Sequence, residues 1–510
     1  MRDQKRAGTL LAYVQLAINV VVGVVYTPIM LHYLGDSEYG VYSVATAVIS
    51  FLTMLDLGFG QTLVRFYVKY RAEGREEKAR ECAGAFFLLY LVLGAVAFAI
   101  GTVLSRAFLP LLFGQKFTAG ELSILRQVLS VLIINLALSL PLSVFSSLIT
   151  AHEEFVFAKL ANILSTILTY GGILLVLTHG HRSVAMAVVT TAVSLGVKGL
   201  LALYCLFRMK VRPRFARPEP EMLRSIFSFS FFIFLNILID QLYASTDKFV
   251  LGALCGTVEV TVYTVGVQFN AYFQQLSTAI SGVYLPHVTR LYAAGAKGPD
   301  FSQLFLTIGR VQFLLLSFVL AGFCAFGRQF IGLLSGGALT QGQITQSFAI
   351  ALIIMLPGVV PLSQNVGITI LQAMNRHRFR SVAYLVLAVI NVAVSIPLAH
   401  KWAGVGAAIG TTLACLAGQY LMMNWFYHKK IGLDIPGYWR MIGGLLLRML
   451  PLAIPAVVLN LLLPGGGWGK LILKCGLFTL CYLPYCSRFL LDSHEKELVR
   501  GILARLGRRK

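Results

Sequence analysis

Long apolar runs recur along the whole chain, and this recurrence restricts the fold more than any other feature of the sequence. A run of about 20 apolar residues crosses the hydrocarbon core of a bilayer as one α-helix, because a helix satisfies every backbone N–H and C=O within the segment. Fourteen such runs are present: 9–31, 38–60, 83–105, 123–150, 156–178, 183–207, 225–247, 258–285, 304–327, 346–373, 381–400, 403–427, 441–463 and 468–491. The sequence therefore predicts an all-α integral membrane protein with about fourteen transmembrane helices.

Composition and charge agree with this prediction. Apolar residues make up 57% of the chain and charged residues 13%, whereas soluble domains carry about 25% charged residues. This balance excludes a soluble enzyme, a disordered chain and a coiled coil. The chain has 43 Lys and Arg against 21 Asp and Glu, a net charge of +22. With both termini in the cytoplasm, about three quarters of the basic residues fall in cytoplasmic segments, as the positive-inside rule expects. The charge therefore indicates orientation and no nucleic-acid partner.

An internal repeat divides the chain. Residues 35–44 (GDSEYGVYSV) and 256–265 (GTVEVTVYTV) share the pattern G-x-x-E-x-x-V-Y-[S/T]-V at an offset of 221 residues. Two six-helix units follow, and both begin on the cytoplasmic side because six is even. The predicted organisation is an N-lobe over 1–207, a cytoplasmic basic linker over 208–224, a C-lobe over 225–427, and two further helices with a cytoplasmic basic tail over 428–510.

Small residues recur at every fourth position of the twelfth predicted span. They are Gly406, Gly410, Ala414 and Gly418. This spacing predicts a helix face that packs closely against another helix, which is a structural role.

Motifs of catalysis and of cofactor binding are missing from the sequence. It contains no HExxH, no GxSxG and no Rossmann glycine pattern. The eight cysteines lie singly in mostly apolar stretches, without a CxxC or a Cys/His pair. We therefore expect no enzymatic activity, no cofactor and no metal site.

Polar side chains inside the apolar runs are the first candidates for function, because a charge at the bilayer centre costs about 3 kcal/mol or more and usually faces a cavity or a partner. Asp240 lies deep in the seventh span, one helical turn from Asn236 and next to Gln241. The repeat places Asn19 of the first span at the position that corresponds to Asp240. Two such polar stripes indicate a central hydrophilic cavity, with hydrogen bonding between the lobes as the alternative. Gln268 lies in the eighth span, which is too polar for a lipid-facing helix.

Further charges lie at or within the ends of spans. Asp56 belongs to Leu-Asp-Leu-Gly-Phe-Gly at the cytoplasmic end of the second span and is followed by Arg65. Lys198 lies inside the sixth span, and Asp247 and Lys248 mark the outer end of the seventh. Structural alternatives remain open for each: a helix-end pair for Asp56, snorkelling for Lys198, and a local ion pair between Asp247 and Lys248.

Several segments combine into a family pattern. They are Arg6-Ala7-Gly8, Tyr26-Thr27-Pro28, residues 34–42 (LGDSEYGVY), residues 55–60 (LDLGFG) with Arg65, and residues 245–252 (STDKFVLG) with Tyr263. Together they resemble the polysaccharide/O-antigen (Wzx-type) flippase family of the multidrug/oligosaccharidyl-lipid/polysaccharide exporter superfamily. Lys248 departs from the pattern, since an arginine is frequent at its position.

The resemblance implies a two-lobed bundle of fourteen helices that works by alternating access in the bacterial inner membrane. Its substrate would be a polyprenyl-diphosphate-linked oligosaccharide, turned from the cytoplasmic to the outer leaflet for cell-surface polysaccharide assembly. Such a head group needs cations for its diphosphate and hydrogen-bonding groups for its sugars. We assign phosphate contacts to Arg65, Lys198 and Lys248, sugar or lobe contacts to Asn19, Asn236, Gln241 and Gln268, and ion coupling to Asp240 and Asp56.

Candidate partners are the lipid-linked oligosaccharide, membrane lipids, a coupling proton or sodium ion, and the glycosyltransferases and polymerase of the same pathway. A drug/cation antiporter on the same fold is the main alternative, and it would favour more acidic residues in the cavity. A membrane scaffold of the cell envelope and a polysaccharide polymerase are further alternatives, although a polymerase usually has a larger outer loop than 106–122 or 328–345.

Overall fold

The structure is a computed structural model that describes residues 2–215, 220–374, 376, 378–492 and 496. Within these ranges every regular element is a helix, and short 3-10 and π-helical turns extend several of them. The α-helices, in chain order, are α1 (Arg2–Leu52), α2 (Phe59–Ala72), α3 (Glu76–Val103), α4 (Leu109–Phe113), α5 (Ala119–Ala151), α6 (Phe155–Thr178), α7 (Ser183–Leu203), α8 (Pro220–Leu254), α9 (Thr257–Val283), α10 (Leu285–Ala293), α11 (Ser302–Leu334), α12 (Gln341–Ser363), α13 (Asn365–Ala373), α14 (Arg378–Cys415), α15 (Asn424–Phe426), α16 (Ile435–Met449), α17 (Ala453–Leu462) and α18 (Trp468–Tyr485).

Nine helical stretches of the described ranges are long and apolar enough to cross a membrane. Two of them, Val21–Ala72 with 52 residues and Phe379–Ile431 with 53, are more than twice as long as the about 20 residues of one crossing. Phe379–Ile431 contains two of the spans predicted from the sequence, and Val21–Ala72 contains the second predicted span together with the end of the first. Helix α9 falls outside the nine, in keeping with the polar composition of the eighth predicted span. The chain is thus a multi-pass, all-α membrane protein, while the number of fourteen crossings stays a prediction.

Backbone breaks divide the two longest helices. Gly35 in α1 has φ 75° and ψ 179°, a conformation that glycine adopts without a steric penalty. In α14, Trp402 (φ −130°) and Ala403 (φ 48°) interrupt the helix. These breaks lie at the junctions that the sequence predicts, after the first span and between the eleventh and twelfth spans. Each long helix is therefore two helices joined through a break.

The close-packing face predicted on the twelfth span contacts the preceding half of α14. A Cβ on Gly406 would lie 1.9 Å from the carbonyl oxygen of Leu398, and a Cβ on Gly410 would lie 2.3 Å from Ser395 Oγ. No side chain fits at either distance, so the two glycines allow the two halves of α14 to meet. The predicted packing role of Gly406 and Gly410 is confirmed.

Two compact units make up the chain. The first holds the described residues of 1–264, 335–339 and 384–410, and in it α5 packs against both α3 and α7. The second holds those of 265–334, 340–383 and 411–510, and in it α11 packs against α12, α17 and α18. The lobe and linker boundaries predicted at 207, 225 and 427 stay a prediction.

The repeated glutamate has the same kind of partner in both copies of the motif. The buried Glu38 carboxylate accepts hydrogen bonds from the backbone N–H of Ser183 (3.0 Å) and from its hydroxyl (2.5 Å), at the first residue of α7. Glu259 accepts a hydrogen bond from the backbone N–H of Gly404 at 3.4 Å, just after the break in α14. The offset of 221 residues that relates the two glutamates also relates Ser183 to Gly404. Each glutamate therefore binds the N-terminus of the last helix of its repeat, where backbone N–H groups lack helical partners.

Part of the predicted linker is fixed to the first unit. The non-helical residues 211–215, which we call the strap, run beside the start of α3. The backbone N–H of Arg214 donates to the carbonyl oxygen of Arg80 at 3.0 Å, and its guanidinium lies 3.0 Å from Glu77 Oε1. A Cβ on Gly84 would lie 2.0 Å from the Arg214 carbonyl oxygen. The strap thus contacts the backbone of α3 directly.

Candidate functional site

The segment Leu-Asp-Leu-Gly-Phe-Gly forms a tight break between α1 and α2. Leu57 (φ 53°) and Gly58 (φ 71°) are both left-handed, which costs a leucine free energy but not a glycine. A Cβ on Gly58 would lie 2.2 Å from Ile233 Cγ2 of α8, so this position has no room for a larger residue. The break ends one helix directly after Asp56 and begins the next at Phe59.

Asp56 lies in a polar cluster that four helical segments build inside the first unit. The hydroxyl of Tyr90, on α3, donates a hydrogen bond to the Asp56 carboxylate, and the Tyr90 side chain is fully buried. The Lys198 ammonium, on α7, lies within electrostatic reach of the same carboxylate and donates to the carbonyl oxygen of Ser139 at 3.4 Å. Ser139 in turn donates from its hydroxyl to Asn135 Oδ1 at 3.0 Å. The structure therefore brings together two predicted site residues that lie far apart in the sequence.

Sequence reasoning missed Tyr90. It lies among aromatic and aliphatic residues of an apolar run (FFLLYLVL), and this pattern indicates a core residue. The available signal was its hydroxyl, because a buried tyrosine usually finds a hydrogen-bond partner for that group. Asp56 supplies the acceptor here.

Arg65 lies two turns into α2 and is exposed. Its guanidinium carbon lies 4.1 Å from the centroid of the Phe229 ring of α8, a cation–π contact worth about 0.5–1 kcal/mol at an exposed site. One turn earlier, the hydroxyls of Thr62 and Ser230 hydrogen bond at 2.8 Å and join the same two helices. The ring holds the guanidinium at its face, and the N–H donors lie in the guanidinium plane, where they suit phosphate oxygens.

The other predicted residues of α8 have separate surroundings. Gln241 donates to Ser245 Oγ at 2.6 Å. Buried Asp247 accepts a hydrogen bond from the hydroxyl of Tyr263, and Lys248 beside it is half-buried. Asn236 and Asp240 belong to the helical backbone of α8, but their side chains lie outside the described part of the structure.

Asn19 and Gln268 complete the predicted set. Asn19 is exposed on α1. Gln268, on α9 in the second unit, donates to the Tyr272 hydroxyl at 2.6 Å. Among the residues that the structure describes, no group of three or more His, Cys, Asp or Glu side chains could hold a metal ion.

The cluster around Asp56 contains a cation and an anion inside a membrane-spanning bundle. Removing both charges from water is costly, and each compensates the other only as long as they stay together. An anion that replaced Asp56 beside Lys198 would free the carboxylate to bind a proton or a metal cation. The arrangement can therefore link the binding of an anion to the binding of a cation.

Solved structures share this fold. The inward closed conformation of lipid II flippase MurJ superposes with a TM-score of 0.73 at 15% identity, over 94% of this chain and 98% of that one. An inward-facing multidrug resistance MATE family transporter of the MOP superfamily superposes with a TM-score of 0.65 at 17% identity, over 82% of this chain and 96% of that one. At these identities the likeness establishes the fold alone, and this chain has the fold of these two proteins.

Sequence comparison identifies the family. Lipid II flippase MurJ of Bacillus subtilis (strain 168) is 23% identical over 456 residues, which are 82% of this chain and 81% of that protein. The family model described as "Polysaccharide biosynthesis protein" matches residues 6–292, more than half of the chain. These residues include the Asp56 break, Arg65, Lys198 and the whole of α8. The chain belongs to this family of polysaccharide biosynthesis proteins.

Proposed function

We propose that the protein flips a polyprenyl-diphosphate-linked oligosaccharide from the cytoplasmic to the outer leaflet of the bacterial inner membrane. It does so by alternating access, without catalysing a reaction, and supplies cell-surface polysaccharide assembly. The family match and the flippase fold support this proposal. Both termini lie in the cytoplasm in this proposal, because the basic residues then follow the positive-inside rule.

The observation that carries the proposal is the electrostatic interaction of Lys198 with Asp56 inside the first unit. A half-buried lysine near a carboxylate suits a substrate with a strongly anionic group, because the diphosphate can take the place of the carboxylate. Arg65, held against Phe229, supplies a second cation with planar donors for the phosphate oxygens. Lys248 is the third cation assigned to the diphosphate.

Asp56 and Asp240 are the groups assigned to the coupling ion. When the diphosphate displaces Asp56 from Lys198, the carboxylate gains affinity for a proton or a sodium ion, and by linkage the ion raises the affinity for the diphosphate. Asn19, Asn236, Gln241 and Gln268 supply amide donors and acceptors for sugar hydroxyls. Glycosyltransferases and the polymerase of the same pathway would supply and consume the substrate.

Deletion of the gene followed by analysis of membrane lipids tests the proposal. We expect a lipid-linked oligosaccharide to build up on the cytoplasmic face, and the wild-type gene to remove it. Absence of any such lipid would refute the flippase assignment. Export of amphiphilic cations without a change in lipid-linked glycans would instead identify a drug/cation antiporter.

Point variants test the site. Arg65→Ala, Lys198→Met and Asp240→Asn should each restore less flipping than wild type at equal expression. Arg71→Ala is the matched control, since Arg71 is an exposed arginine of the same helix outside the assigned set. If Arg65→Ala and Asp240→Asn both restored flipping fully, the assignment of the site would be wrong.

A further inference from the structure

The first turn of α5 carries a carboxylate that contacts both halves of the sequence. Glu121 Oε2 accepts hydrogen bonds from the backbone N–H (2.7 Å) and the hydroxyl (2.9 Å) of Thr118, which caps α5. Glu121 Oε1 accepts from the Ser37 hydroxyl at 2.5 Å and from the Thr257 hydroxyl at 2.7 Å. One oxygen therefore completes a local helix cap, while the other joins α1, in the first half of the chain, to the start of α9, in the second half.

Direct contacts between α1 and α9 continue from this carboxylate. One turn along α9, the Thr261 hydroxyl donates to the carbonyl oxygen of Asp36 at 2.5 Å. A Cβ on Gly40 would lie 2.0 Å from the Thr257 carbonyl oxygen, so the two helix backbones touch. Thr257 and Thr261 are both buried. The contact is therefore closed to water at the level of the backbone.

The second half of the chain contains the same helix cap with an amide in place of the carboxylate. Thr340 caps α12 as Thr118 caps α5, and Gln343 takes the place of Glu121: its Oε1 accepts from the Thr340 backbone N–H at 2.7 Å, and its own N–H donates to Thr340 Oγ1 at 3.3 Å. A neutral amide is enough for the cap. The cap therefore does not require the negative charge at position 121. Hydrogen bonds to a charged acceptor are stronger than those to a neutral one, so the charge strengthens the bonds from Ser37 and Thr257.

We propose that Glu121 is a latch that holds α1 and α9 together at the outer side and so keeps that side closed while the protein awaits its cargo. The inference rests on the proposed alternating-access function. Opening to the outside requires the Ser37 and Thr257 hydroxyls to leave Glu121, whereas the cap with Thr118 stays intact. Ser37, Thr257 and Thr261 are positioning residues for this closure.

Cys255 is a native reporter of the latch. It lies two residues before Thr257, is half-buried, and feels the charge of Lys116 in the segment that precedes α5. The Lys116 carbonyl oxygen would lie 3.5 Å from a Cβ on the adjacent Gly256. Burial raises the pKa of the Cys255 thiol, which slows its reaction with maleimides because the thiolate is the reactive form. Separation of α9 from this segment should expose the thiol.

The test is the rate at which a membrane-impermeant maleimide labels Cys255 in intact cells, read for this residue by peptide mass spectrometry. Glu121→Ala should raise the rate about tenfold, which corresponds to about 1.4 kcal/mol in the opening equilibrium. Thr257→Val, which deletes one bridging hydroxyl with little change in shape, should raise it about threefold, or about 0.65 kcal/mol. Gln343→Ala and Thr118→Ala, which remove the caps of α12 and α5, should leave the rate within about twofold of wild type, or about 0.4 kcal/mol.

Two results would overturn the latch: a Glu121→Ala rate within twofold of wild type, or a Thr118→Ala rate equal to that of Glu121→Ala, which would indicate fraying of α5. The Thr257→Val variant keeps the test decisive if Glu121→Ala fails to fold. Labelling reports opening whatever the cargo is. If the deletion strain accumulates no lipid-linked oligosaccharide but Glu121→Ala still raises labelling, the proposed function fails and the latch stands.

Discussion

Replacement of Glu38 should be among the most damaging single changes outside the apolar core. Its carboxylate is 6% exposed and accepts two hydrogen bonds from Ser183 and one from Arg182 Nη1 at 3.1 Å. Ser183 is fully buried, so neither its backbone N–H nor its hydroxyl could turn to water if the carboxylate were removed. Arg182 is 68% exposed and would simply be solvated.

These contacts set an order of effects on the free energy of unfolding. A hydrogen bond to a charged group contributes about 1.5–3 kcal/mol, and two such bonds to Ser183 give about 3–5 kcal/mol for Glu38→Ala. Glu38→Gln keeps one oxygen acceptor and should cost about 1–2 kcal/mol. Ser183→Ala removes the hydroxyl alone, and we expect about 1–2 kcal/mol. Arg182→Ala breaks an exposed ion pair and should cost less than about 1 kcal/mol.

Thermal unfolding in detergent micelles can measure this order. A dye that fluoresces on reaction with thiols reports the exposure of Cys82 and Cys205, which are buried in the folded protein. Because membrane proteins often unfold irreversibly, the comparison uses the order of apparent midpoints at one heating rate. We expect the midpoints to fall from wild type through Arg182→Ala to Glu38→Ala. An Arg182→Ala midpoint as low as that of Glu38→Ala would refute the reasoning, because the exposed ion pair would then carry the stability.

Three further changes probe other parts of the first unit. Tyr90→Phe removes the hydroxyl donated to the carboxylate of the α1–α2 break and should lower flipping about fivefold to tenfold at equal expression, the equivalent of about 1–1.4 kcal/mol, as measured by accumulation of the lipid-linked oligosaccharide. Gly84→Ala should push Arg214 off α3 and speed tryptic cleavage of the linker, whereas Gly171→Ala, with open space around its Cβ position, should not. Burial lowers the pKa of His152 below its usual range, so the folded protein favours the neutral imidazole. The contribution of His152 to stability is therefore present above about pH 6.5 and is lost as the pH falls. His152→Gln should flatten the dependence of the unfolding midpoint on pH between about pH 7 and 5.

The sequence predicted the helices well because membrane crossing imposes one requirement on every span. Apolar runs of sufficient length become helices wherever the backbone must form all its hydrogen bonds within the segment. The breaks fall at residues such as Gly35, whose φ and ψ angles are not helical. The close approach at Gly406 and Gly410 was also readable, because the absence of a side chain at every fourth position has a direct geometric consequence.

The candidate site was predictable as a set of residues but not as an arrangement. Asp56 and Lys198 stand out as charges in apolar runs, yet the register between helices that are distant in the chain cannot be derived from the sequence, so their proximity emerges only from packing. Asn19, assigned to a cavity by the repeat, is exposed on α1. Glu121 was overlooked because it lies next to a polar loop, where a glutamate three residues after a threonine reads as a helix cap. The cap is present, but it uses only one of the two carboxylate oxygens.

The strap limits the distance between the start of α8 and the start of α3. Because the backbone of Arg214 is hydrogen-bonded to α3, the length of chain between α3 and the start of α8 is counted from the strap and not from the end of α7. Five peptide steps separate Phe215 from Pro220, the first residue of α8, and a fully extended chain of that length spans at most about 18 Å. Pro220 can therefore lie no farther than this from Phe215, and the start of α8 stays near the start of α3 unless the strap detaches from α3. A larger displacement of α8 from α3 would require the ion pair of Arg214 with Glu77 to break. This surface contact therefore limits the movement of α8.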